Sequence, residues 1–367
     1  MSTDYKTQIN ARKPEMETKV EEVIEKCVQF IVEKCGNGLE ALVLVGSFSR
    51  GEGIVYPVNG KLKFLSDVEF WAVAKVSEFA SLRVQRVGIE KEIEKHLKEQ
   101  GVDVEVTVGI TTKKHLQRFK PCIFTVETKR FGRVLWGDKN ILDYLPIYLY
   151  EEINPIDGFI LLNNRIVEQL ILLNKINSEE AIYQYDIDRG YIQIVNSLLA
   201  FHRRYRSLRK QKKDEFSRLF AGMDYLKENA SGLPTEVEHT FDYLNNSDGK
   251  ALSKDEALSE WKELRNYFKE VWLYEAATLV GNKSYGLKEL IKKFVSIPDF
   301  KSRIKGWVKV LVDKRCSILD ARYSMRDLFR TSPQFLIYRQ AVQAYFGNET
   351  DRAKIQRITQ KWEIIVK

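Results

Sequence analysis

Two carboxylates one residue apart, Asp67 and Glu69 in SDVEF (residues 66–70), are the side chains whose type and spacing speak first for chemistry. On a β-strand, residues i and i+2 point to the same face a few ångströms apart, so this pair could share hard cations such as Mg²⁺ or Mn²⁺. Upstream lies VGSFSRGEG (residues 45–53). A glycine at position 46 lets a backbone come close to a phosphate, and the Ser47 hydroxyl with neighbouring amides could hydrogen-bond phosphate oxygens. Arg50 has two readings, a phosphate ligand or an ion-pair partner of Glu52. Downstream, VDVEV (residues 102–106) offers Asp103 and Glu105, read here as one strand with both acids on one side. A nucleoside triphosphate carries about four negative charges, and moving its nucleotidyl group calls for Mg²⁺ held by oxygen ligands. Each piece alone is commonplace; their order is what suggests a site.

The elements that must position these residues can be read from periodicity. Val20, Val23, Ile24, Cys27, Phe30, Ile31 and Cys35 recur at spacings of three and four, and glycines at 36 and 38 end the pattern, which predicts a first amphipathic helix. Strands are predicted over residues 41–45, 61–76, 102–109 and 122–132, all rich in β-branched and aromatic residues. Residues 77–101 read as a helix. From about Pro155 the style changes to long helical patterns at 156–176, 188–205 and 253–281, the last opening on a capping box from Ser253 to Glu256. Loop signals at ENASGLP and LNNSDGK divide them. The expectation is an α/β half, residues 1–150, with a mixed sheet and flanking helices. An all-α domain, residues 151–367, follows, with a subdomain boundary near 228–254.

In LVGS (44–47), DVE (67–69) and the acid-bearing strand at 102–106, the sequence resembles the DNA polymerase β-like nucleotidyltransferase superfamily. GSFSRGEG is similar to the GSxxRGEG form of its small-molecule and minimal members. The resemblance covers about residues 14–150. It implies a nucleotidyltransferase fold and transfer of a nucleoside monophosphate from an NTP, ATP favoured, to an acceptor hydroxyl. It also implies Mg²⁺ or Mn²⁺ on Asp67, Glu69 and a third acid. VEV at 104–106 is like the kanamycin-type members and favours Glu105 over Asp103, while Gly46, Ser47 and Arg50 would bind nucleotide. The gap between Gly-Ser and the first acid is longer than usual in the family. An Asn59-Gly60 hairpin signal within it accounts for the excess. The helical half would supply the acceptor pocket, a small molecule being favoured and RNA the alternative. A non-catalytic nucleotide or RNA sensor, or an antitoxin-like role, is the reading from another class.

Composition sets the outer bounds. Hydrophobic residues at 44% and charged residues at 30% in 367 residues suit two folded domains, not a disordered chain. No apolar run approaches a membrane span, and MSTDYKTQINARK has no signal-peptide core, so the expectation is a cytoplasmic protein without a membrane partner. Cys27, Cys35, Cys122 and Cys316 are scattered and read as plain thiols, not as a zinc or disulfide framework. The net charge of +8 divides unevenly. Residues 1–150 carry 23 basic and 21 acidic side chains, a net of +2, and residues 151–367 carry 36 and 30, a net of +6. Seven basic residues fall between Arg203 and Lys213. They read as a solvated face first and an RNA-binding strip second. His202 beside them reads as solvated.

Overall fold

The computed structural model describes residues 14–58, 61–178, 180–246, 249–282, 286–312 and 330–365; Cys316 lies outside them. The chain forms two compact units. The first holds Met1–Ile153 with Tyr205–Gln211 and Tyr243–Gly249; the second holds Asn154–Arg204, Lys212–Asp242 and Lys250–Lys367. The architecture is mixed α/β, with small mixed sheets and many helices.

In the first unit, helix α1 (Pro14–Cys35) leads to strand β1 (Leu39–Val45), which runs straight into the single-turn helix α2 (Gly46–Ser49). Strands β2 (Val55–Val58) and β3 (Lys61–Phe64) pair antiparallel, Val58 opposite Lys61; the Asn59-Gly60 hairpin signal lies outside the described residues. Strand β4 (Val68–Ala74), helix α3 (Phe79–Glu99), strands β5 (Val102–Asp103) and β6 (Val106–Thr111), helices α4 (Lys113–Leu116) and α5 (Ile123–Phe131) and strand β7 (Arg133–Gly137) complete it. The main sheet runs β6-β4-β1-β7, with β4 and β6 parallel and β1 antiparallel to both its neighbours.

Alternation sorts the sheet's residues onto two faces. Leu42 and Leu44 of β1, Val68, Phe70, Ala72 and Ala74 of β4 and Val106 and Val108 of β6 are buried in one core with the apolar sides of α1 and α3. Ala41, Val43 and Val45 of β1 and Trp71 and Val73 of β4 face a second core with Leu116, Ile141 and Leu145. The exposed edge of β6 is closed by side chains. Glu94 accepts the Val106 amide at 3.0 Å and Glu90 accepts the Val108 amide at 2.8 Å, both from α3, which removes the pairing template a free edge would present.

Three expectations are corrected. Residues 122–132 form helix α5 and not a strand: the Thr125 hydroxyl accepts the Cys122 amide at 3.0 Å, which nucleates a helical turn, and Val126 and Thr128 are the buried side. The predicted strand over 61–76 is broken at Leu65, where the Leu65 and Ser66 amides both turn to the Ile54 carbonyl, at 3.0 and 3.4 Å. Residues 102–109 are likewise divided. Strand β5 pairs with β3 in a three-stranded sheet, and β6 pairs with β4 in the main one.

In the second unit, helices α6 (Pro155–Asn177), α7 (Gln184–Phe201) and α11 (Lys254–Val280) cover the three helical patterns; α7 is preceded by strand β8 (Ile182–Tyr183). Between α7 and α11 lie α8 (Arg209–Phe220), α9 (Asp224–Asn229), α10 (Leu233–Asn246) and strand β9 (Ala251–Leu252), which pairs with β8. The capping box at α11 forms as read: Ser253 Oγ accepts the Glu256 amide and Glu256 accepts the Ser253 amide. Trp272 and Phe159, both wholly buried, meet Phe294 at ring separations of 5.3 and 5.9 Å in edge contacts and fill the core with the helix Pro333–Phe346. Among the described residues no helix is long and apolar enough to cross a membrane.

Candidate functional site

Position 46 is where the backbone needs glycine. Its φ is +70°, in the left-handed region that side chains disfavour. A Cβ there would lie 1.8 Å from Glu69 Oε2 and 2.8 Å from its carboxyl carbon, so the Glu69 carboxylate rests directly on the Gly46 Cα. The antiparallel register sets Val45 opposite Glu69, which brings the Gly-Ser turn to that acid. The turn is closed by its own groups: Ser49 Oγ donates to the Gly46 carbonyl at 2.8 Å, and the Ser47 carbonyl accepts the Arg50 and Glu52 amides at 3.2 and 2.9 Å.

Asp67 precedes β4 by one residue, and Glu69 shares its face with Trp71, the side opposite Val68 and Phe70. Both acids are half-buried. The parallel register Val68 with Val106, carried back one residue, sets Asp67 beside Glu105, and the Val68 amide donates to the Glu105 carbonyl at 2.9 Å. Glu105 therefore stands at the mouth of β6, exposed, on the strand next to the pair. Asp103 belongs to β5 in the other sheet, where its carboxylate meets Lys63 at 3.3 Å. The two acids read as sharing one strand thus go to different sheets. Among the described residues, no three His, Cys, Asp or Glu side chains are gathered into one metal-holding cluster; backbone register is what brings Glu69 of β4, and Asp67 just before it, near Glu105 just before β6.

Arg50 points elsewhere. Its Nε donates to Glu52 Oε2 at 3.2 Å and its Nη1 to Glu127 Oε2 at 2.6 Å, with the three side chains only 11%, 12% and 13% exposed. Burial lowers its affinity for the proton, but Glu127 and Glu52 more than offset that and hold the guanidinium firmly charged. The Tyr205 hydroxyl donates to the other Glu127 oxygen at 2.7 Å, and burial, then Glu127, raises that phenol well above its ordinary range. Glu52 in turn accepts the Arg209 amide at 2.8 Å, while its carbonyl accepts the Arg209 guanidinium. Glu127 is 77 residues from Arg50, Tyr205 is 78 from Glu127 and Arg209 is 157 from Glu52, and nothing in local sequence pattern marked these pairings. The result is a buried ionic clamp on the loop that follows Gly46-Ser47.

The basic run from Arg203 to Lys213 is largely absorbed by such pairs. Arg204 meets Glu215 at 2.5 Å, Arg206 meets Glu151 at 3.8 Å, Arg209 binds Glu52, and Lys213 meets Asp242 at 2.9 Å. Lys212 is buried, so only Arg203 and Lys210 are exposed residues of the seven. His202 is half-buried, not solvated. Its ring stacks on Tyr274 at 5.8 Å, its Nε2 is 3.1 Å from the Tyr274 hydroxyl, and burial, then Arg204, lowers its basicity.

No protein-family model, no curated protein and no solved structure matches the chain.

Proposed function

We propose that the chain is a metal-dependent nucleotidyltransferase of the polymerase β-like type. The observation that carries the reading is the seat of the Glu69 carboxylate on Gly46, with Asp67 two residues before it at the start of β4 and Glu105 at the start of the neighbouring β6. That juxtaposition joins a phosphate-approach turn to a set of hard oxygen donors. The donor chemistry fits Mg²⁺ or Mn²⁺, and Asp67, Glu69 and Glu105 would hold it. When bound, the metal would neutralise triphosphate charge and acidify an acceptor hydroxyl.

The remaining tasks fall to the chain's own groups. The Ser47 hydroxyl would meet the triphosphate oxygens of an NTP, while the missing Cβ at Gly46 leaves the room in which the Glu69 carboxylate sits against the turn. Arg50 acts as a positioning residue: both carboxylates it binds anchor the turn, so the turn's amides are already ordered when nucleotide arrives. Asp103, paired with Lys63, has no part in the metal set. A small-molecule acceptor is favoured over RNA, since most of the basic run is engaged by carboxylates within its own unit or is buried.

The test is transfer from each of the four NTPs, labelled at the α-phosphate, in a cell extract with Mg²⁺. Asp67→Asn and Glu69→Gln keep side-chain volume and remove a charged ligand, so labelling should fall by orders of magnitude, several kcal/mol of transition-state stabilisation being lost. Either variant retaining near-normal Mg²⁺-dependent turnover would refute the assignment.

A further inference from the structure

Away from these strands, three helix faces of the second unit converge with a charge opposite to that of the whole chain. Asp188 and Tyr191 lie at i and i+3 on α7, Glu236 and Thr240 at i and i+4 on α10, and Glu260, Glu263 and Tyr267 at i, i+3 and i+7 on α11. Their mutual contacts show that the faces meet. Thr240 Oγ1 is 3.5 Å from Asp188 Oδ1, and the Gln184 side-chain amide bridges Asp188 Oδ1 at 3.3 Å and Glu260 Oε2 at 2.7 Å. The Tyr191 and Tyr267 rings stand 5.9 Å apart, and the Tyr267 hydroxyl lies 3.4 Å from Glu263.

One buried polar atom in this cluster lacks a partner. Asp188 is 5% exposed, and its Oδ2 has no hydrogen bond. Tyr191 is also 5% exposed. Burial first, then Glu236, Glu263, Tyr267 and Glu260, raise that phenol above its ordinary range, which places the hydroxyl among the acids. Burial likewise pushes Asp188 up to about 7, Gln184 opposing and Glu260 adding to the rise. None of Asp188, Glu236, Glu260 and Glu263 has a Lys or Arg within ion-pair distance among the described residues; the one cationic influence on Glu236 is His239. Like charges and orphaned acceptors so placed cost free energy unless a cation joins them.

We propose that this cluster of acidic and aromatic side chains on α7, α10 and α11 is a binding site for an aliphatic polyamine. Extended ammonium groups suit the spread of acceptors: each donates up to three hydrogen bonds, and the Tyr267 and Tyr191 rings offer π faces beside the carboxylates. The inference rests on the helical unit alone and stands or falls separately from nucleotidyl transfer.

Calorimetric titration of the full chain with spermidine, putrescine and ethylamine tests it, with Mg²⁺ and matched NaCl as controls. Affinity should fall in the order spermidine, putrescine, ethylamine. Glu236→Gln/Glu260→Gln should weaken spermidine at least about tenfold, charge-assisted bonds being the stronger class. The same double variant should be as stable as the parent or more so without ligand, because it relieves like-charge repulsion; this separates lost binding from lost folding. Tyr191→Phe, which removes only the hydroxyl, should weaken spermidine by about threefold at unchanged thermal stability. No saturable spermidine binding by about 10 mM, equal binding to the double variant, or equal competition by Mg²⁺ at matched ionic strength would overturn the proposal.

Discussion

Replacing Gly46 by alanine tests the site through a group that carries no charge and no proton. Two costs act at once. The φ of +70° asks an alanine to sit in the left-handed region, about 1 kcal/mol of backbone strain. The new methyl would also lie 1.8 Å from Glu69 Oε2, so the carboxylate must retreat by about 1.5 Å to reach ordinary contact. A displacement of about an ångström in a reacting constellation lowers rates by about a hundredfold, or roughly 2.7 kcal/mol in the barrier. Gly36→Ala separates the two terms. Position 36 has φ +50°, yet a Cβ there meets nothing within 4 Å, so the variant bears strain alone. Thermal unfolding should show a small loss for Gly36→Ala and a larger one for Gly46→Ala, which bears the contact with Glu69 as well. Mg²⁺-dependent binding of a fluorescent ATP analogue, and transfer from labelled NTPs, should fail only in Gly46→Ala. If Gly46→Ala matches Gly36→Ala in nucleotide binding and turnover within about twofold, the Glu69 carboxylate has no task at the turn and the reasoning is refuted.

Three further outcomes are expected. Glu105→Gln should impair transfer as severely as Glu69→Gln, while Asp103→Asn should cost little in activity or stability, because its pair with Lys63 is largely exposed; the reverse ranking in turnover would return the third-ligand role to Asp103. Glu127→Gln should lower stability by about 3 kcal/mol, read as a shifted denaturant midpoint, since it leaves Arg50 buried beside a single carboxylate. Glu275 is wholly buried with Oε2 unpartnered, and burial pushes it up to about 8 against the lowering effect of Ser197. The unfolded chain releases that proton near the ordinary 4.5, so the folded state holds more protons between the two values, and stability should fall as pH rises through that window. The slope is up to about 1.4 kcal/mol per pH unit, and Glu275→Gln should flatten it in urea titrations at several pH values; an unchanged slope would show that another group carries it.

Much of the fold was legible from local pattern because local forces decide it. Apolar spacing of three and four on α1, the Ser253 capping box of α11 and the β-branched run of β1 each fix an element through nearest neighbours along the chain. The same holds for Gly46 and for the acids at 67 and 69, whose types and order could be read directly. Alternation failed over 122–132, where it was imitated by a helix whose start depends on the Thr125 hydroxyl.

What the chain alone did not reveal depends on partners far apart in sequence. Asp103 and Glu105 look equivalent in VDVEV, and only the switch of strand partner from β3 to β4 sends one to Lys63 and the other to Asp67. Arg50 had two readings until Glu127 was brought within 2.6 Å of it. The basic run looked like an exposed strip because its carboxylate partners lie in other segments, up to 157 residues away for Arg209 and Glu52. A charge's local neighbours report its sign and spacing; its electrostatic task is set by which opposite charge the fold buries beside it.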